Sequence, residues 1–134
     1  MADLYSEHTT VQTLVPAART ANGNGTTVDR GQNGDDFASA MFVVTAGTIT
    51  DGTHTIVVEH SDNDAAWSAV AAGDLQGVPP AILAADDNKR FEVGYQGKKR
   101  FLRANVTVAG ATTGGVYGVL VLLGRPRVAP VTRL

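Results

Sequence analysis

No cysteine occurs among the 134 residues, which excludes disulfides, thiolate metal centres and a cysteine nucleophile. Long apolar runs are also missing: none approaches the roughly 20 residues needed to cross a bilayer. The start, Met1-Ala2-Asp3-Leu4-Tyr5-Ser6-Glu7, has neither the basic opening nor the apolar stretch of a secretion signal. A protein kept in cytosol-like solvent, with no membrane partner, is therefore expected. Lys, Glu and Leu seldom recur at helical spacing, so long helices are not expected. Aromatic residues make up only 6% of the chain, a thin supply for stacking on bases or sugars.

What is present favours strands and turns. Fifteen glycines and five prolines accompany abundant Thr and Val, the residues of turns and pleated surfaces. An apolar share of 43% with 18% charged residues is an ordinary globular balance, and a chain of this size folds without staples.

Residues 11–15 alternate up to Pro16 and read as an arm or edge strand. Two Asn-Gly steps in residues 21–27 and the polar stretch 30–36 mark loops, with a short strand around Val28 between them. Phe37 to Ile49 is apolar on both faces, and Asp51-Gly52 then turns the chain into Thr53 to His60, which predicts a hairpin. Strands are expected at 90–95 and 100–109, and the apolar run 116–123 reads as a central strand. The short loop 110–115 predicts antiparallel pairing of 100–109 with 116–123. Trp67 and Val70 are expected to cap the core. These elements predict an all-β, antiparallel β-sandwich or jelly-roll-like barrel with extended N- and C-terminal arms. The expected division is an N-terminal arm at 1–16, a sandwich domain at 17–124 and an extended tail at 125–134, held open by two prolines.

The charge is unevenly placed. Residues 1–87 carry twelve acids against Arg19 and Arg30, and residues 88–134 carry nine bases against Glu92 alone. In a fold that interleaves the halves as neighbouring strands, pairing of this charge is favoured over a nucleic-acid site.

The search for chemistry returns little. His54 and His60 share a strand face but stand roughly 20 Å apart at ~3.3 Å per residue, too far for one metal ion. Ser61 and His60 point to opposite faces and cannot act as nucleophile and base. The loop 61–64 reads as an Asx turn in preference to a Ca²⁺ site. Asp86-Asp87 reads as a solvated turn, and no glycine-rich segment has a phosphate-binding context. No catalytic residue, cofactor or metal is expected. The best remaining candidates are interface residues: Leu4, Tyr5 and Val11 in the arm, the patch Lys98, Lys99, Arg100 and Arg103, and Arg125, Arg127 and Arg133 in the tail. Arginine suits such a surface because its planar fork pairs with carboxylates.

Two segments carry a resemblance. They are Val58-Glu59-His60-Ser61-Asp62-Asn63-Asp64-Ala65-Ala66-Trp67, and the block from Arg90-Phe91-Glu92-Val93-Gly94-Tyr95 through Lys99-Arg100-Phe101-Leu102-Arg103-Ala104-Asn105-Val106 to Gly124-Arg125-Pro126-Arg127. Across roughly residues 37–127 the chain resembles the capsid decoration, or cement, proteins of tailed bacteriophages. The resemblance implies a virion protein made in the host bacterial cytoplasm, a homotrimer on the capsid exterior, and the major capsid protein as partner. The rival expectation is a sugar- or host-surface-binding sandwich module of a phage tail or fibre.

Overall fold

The structure, a computed structural model, describes residues 3–31, 34, 36–127 and 129–131. Among the described residues eleven strands follow a single α-helical turn, α1 (Leu4–Glu7). The long strands are β1 (His8–Arg19), β4 (Ser39–Ile49), β5 (Thr53–Ser61), β9 (Arg90–Tyr95), β10 (Phe101–Ala109) and β11 (Gly115–Gly124). Short strands are β2 (Gly23–Asn24), β3 (Val28–Asp29), β6 (Ser68–Ala69), β7 (Leu75–Gln76) and β8 (Ala81–Ile82).

Two antiparallel sheets stack as a sandwich. Sheet A has the order β1-β11-β4-β9-β7, and sheet B is built on β2-β10-β5-β6, with β3 beside β10 and β8 beside β5. Period-two alternation supplies the core: Phe42 and Val44, Val93, and Tyr117, Val119, Val121 and Leu123 point inward from sheet A, against Ile56, Val58, Leu102, Ala104 and Val106 of sheet B. The all-β sandwich expected from the sequence is the observed architecture, with 116–123 an interior strand of sheet A between β1 and β4.

From β4 onward, consecutive long strands lie in opposite sheets, which corrects two expected pairings. The segments 37–49 and 53–60 do not form a hairpin, because β4 pairs with β11 and β9 while β5 pairs with β10. Likewise β10 and β11 arch across the core instead of pairing. The two arches brace each other: Asp51 accepts the backbone N–H groups of Thr112, Thr113 and Gly114, and the N–H of Thr50 donates to the Gly114 carbonyl. Gly114 has φ +80°, and a Cβ there would stand 2.0 Å from the Arg19 carbonyl oxygen, so no other residue fits.

The expected boundary at residue 16 falls inside β1, which runs unbroken along the edge of sheet A with bulges near Leu14 and Pro16. The seam beside it is closed by residues 23–29. Thr13 Oγ1 donates to the Thr26 carbonyl and accepts the N–H of Ala104, while the N–H of Gly25 donates to Ala104. The tail also returns to the body, since the N–H of Val131 donates to Ser6 and Val131 packs against the core. Among the described residues no helix is long and apolar enough to cross a membrane.

Candidate protein-binding face

The registers place Leu4, Tyr5, the loop 96–100, the β5 exit and Arg125 at one end of the sandwich, because His8, Gly124 and Ser39 form one row and Ala40 pairs with Tyr95. That end is fixed from within. The buried Arg30 donates to the Lys99 carbonyl through Nε (2.9 Å) and Nη2 (2.6 Å), and lies over the Tyr95 ring at 5.3 Å. Burial pulls its pKa down from the ordinary arginine value. Tyr95 accepts the N–H of Lys99, and its hydroxyl lies 2.8 Å from His60 Nδ1. Desolvation, helped by the Lys99 charge, lowers the His60 pKa, which favours the neutral imidazole beside the Tyr95 hydroxyl. At the opposite end His54 lies 2.8 Å from the Tyr117 hydroxyl and 3.0 Å from the Asp51 carbonyl. These two histidine–tyrosine pairs tie sheet to sheet.

Most of the expected basic patch is engaged within the fold. Arg100 makes a two-pronged contact with Asp29, Arg127 pairs with Asp36, and Lys99 reaches Asp62 at 3.6 Å. Arg103 pairs with Glu59 at 2.8 Å, both side chains only 19% exposed. The side-chain amide of Asn105 donates to the same carboxylate oxygen. Each of these pairs joins an acid of the first half to a base of the second, as the charge asymmetry predicted. Lys98 and Arg125 are exposed and make no ion pair among the described residues. Leu4 and Tyr5 are 76% and 75% exposed. Val11 faces inward opposite Val121 and packs on the core, so it adds little to any outer surface. Arg133 lies outside the described residues.

Trp67 is displaced from its expected place. Val70 is in the core, but Trp67 lies on the outer face of sheet B, 4.3 Å from the Arg103 guanidinium. The cause is the Asx turn at 61–66: Asn63 Oδ1 accepts the N–H groups of Ala65 and Ala66 and swings the chain over the sheet.

The outer face of sheet A went unrecognised in the sequence. One row across it reads Thr10, Leu122, Met41, Gly94 and Gln76, and the next reads Gln12, Leu120, Val43 and Glu92. Met41, Val43, Leu120 and Leu122 therefore form a partly exposed apolar block inside a polar ring. At the α1 end the face sinks into a depression of about 350 Å³, lined by Met41, Leu122, Gly94 and Gln76 and rimmed by His8 and Arg125. An apolar centre with a polar rim is the anatomy of a protein interface. The signal was the outward alternation of Met41 and Val43, readable as burial on both faces but not as exposure.

Comparison with protein-family models, with curated proteins and with solved structures gives no match to this chain.

Proposed function

We propose that this chain is a structural virion protein: a capsid decoration protein that binds the outer surface of a tailed-phage capsid as a trimer and stabilises it by bridging capsomers. The observation that carries the reading is the outer face of sheet A, where an apolar block meets the exposed Leu4 and Tyr5 and Arg125, a cation with no ion pair among the described residues. The resemblance across residues 37–127 supplies the kind of partner, the major capsid protein. Three linked copies raise the effective concentration of weak contacts, so a modest surface holds durably once several are engaged.

The test mixes purified undecorated capsids with the protein and measures occupancy after sedimentation. Saturable binding that falls at least tenfold in affinity for the surface variant Leu4→Asp/Arg125→Glu supports the reading. Bare capsids with the unmodified protein refute it.

The second reading, a sugar- or host-surface-binding module of a tail or fibre, draws on Trp67 lying beside Arg103, Glu59 and Asn105 on the other sheet. Specific binding on a glycan array, lost in Trp67→Ala, would place it first.

A further inference from the structure

The same end of the molecule carries a projection and a recess of matching chemistry. The projection is the segment 3–7, where α1 presents Leu4 and Tyr5 with Asp3 and Glu7 beside them. Asp3 caps the turn by accepting the N–H of Ser6 at 2.6 Å, which fixes the shape of the projection. The recess is the depression on sheet A, with Met41 and Leu122 on its floor and Arg125 on its rim. Apolar side chains flanked by acids thus stand next to an apolar floor flanked by a cation.

We propose that residues 3–7 of one copy of this chain dock in the sheet A depression of a second copy, giving a head-to-tail contact. Charge complementarity names the occupant: the segment carries two carboxylates, and Arg125 makes no ion pair among the described residues of its own chain. Area supports the same choice. The nine positions of the two rows, ~4.8 Å apart between strands and ~6.8 Å apart between rows, make a face of about 300 Å². Leu4 and Tyr5 together add roughly 300 Å². A protomer that both gives its arm and receives another buries about 600 Å², at the lower end of the roughly 600–1,000 Å² per partner of a stable interface. A contact between two different patches closes into a ring when the rotation permits and otherwise continues as a filament. The inference rests on the outer face of sheet A being an interface, and it names what fills the recess before any capsid is met.

The absence of native cysteine gives a clean experiment. Tagged Leu4→Cys protein is mixed with untagged Met41→Cys protein under mild oxidation, without capsids, and the disulfide products are resolved by mass. The expected result is a tagged–untagged heterodimer in at least fivefold excess over either homodimer. Homodimers alone, or no cross-link, would overturn the docking. Sedimentation gives a second readout: Leu4→Asp, an exposed substitution that leaves the core untouched, should reduce the unmodified protein's oligomer to monomer. A monomeric unmodified protein would also overturn it. Heterodimers with bare capsids would leave the docking standing and remove the capsid reading, and bound capsids without heterodimers would do the reverse.

Discussion

The Tyr95 hydroxyl lies 2.8 Å from His60 Nδ1, joining the inner face of sheet A to that of sheet B at the end that carries the arm. It also accepts the Lys99 amide, so one oxygen positions the core and the loop bearing Lys98. Tyr95→Phe leaves a buried imidazole nitrogen and an amide unmet, which should cost about 1–3 kcal/mol in a denaturant titration. A loss below ~0.5 kcal/mol would show that the pair adds nothing beyond packing.

The lowered His60 pKa sets a pH dependence. A histidine whose folded pKa is depressed gives stability that is present above its unfolded pKa of ~6.5 and is lost as pH falls through the folded value. The thermal midpoint should therefore drop as pH falls below about 6.5. His60→Gln should flatten that segment of the curve, and an unchanged slope would remove His60 as its source.

Tyr117 governs the alkaline side. Its phenol, 1% exposed, is pushed up to about 12 by desolvation, with Arg19 nearby acting in the opposite direction. A raised folded pKa gives stability that is complete below the unfolded value near 10 and disappears as pH climbs through 12. About 2–3 kcal/mol is at stake. Spectrophotometric titration should show one tyrosine ionising about two units above the ordinary value, and Tyr117→Phe should remove that transition along with part of the alkaline destabilisation.

Gly25 is required where the seam closes. A Cβ there would sit 2.3 Å from both the Ala104 carbonyl oxygen and Thr13 Oγ1. Backbone on one side and a buried hydroxyl on the other leave no room to yield. Gly25→Ala should destabilise the fold by more than about 2 kcal/mol, read by equilibrium unfolding. Gly23→Ala, with nothing within 4 Å of the added carbon, is the control and should stay within ~0.5 kcal/mol.

The sequence made the strands legible and left their partners hidden. The alternation of Leu102, Ala104, Val106 and Val108 placed β10 and its inner face correctly, because the side-chain period of a strand is local information. The Asp51-Gly52 turn marked a chain reversal just as correctly. A reversal, however, leads equally to two strands side by side in one sheet or face to face across a core, and both arrangements show the same apolar pattern. The decision came from Asp51 gripping residues 112–114, sixty positions away. The same limit applies to the site. Leu4 and Arg125 were singled out from their residue types, but the depression between Met41, Leu122 and Gly94 exists only once three strands distant in sequence are aligned. Arg103 stood out as a charge on a polar face, and its partner Glu59 became visible only with the register.

Strand order has a consequence for how this polypeptide reaches its native state. β10 and β11, interior strands of their sheets, follow the other long strands in chain order, and β1 finds its neighbour only when residues 115–124 arrive. The leading two thirds thus emerge from the ribosome as a polyanion with its oily strands unmatched, and the trailing third brings both the missing neighbours and the neutralising cations. Completion of both sheets waits for residues 101–124, and a product cut short before residue 101 lacks one interior strand of each sheet.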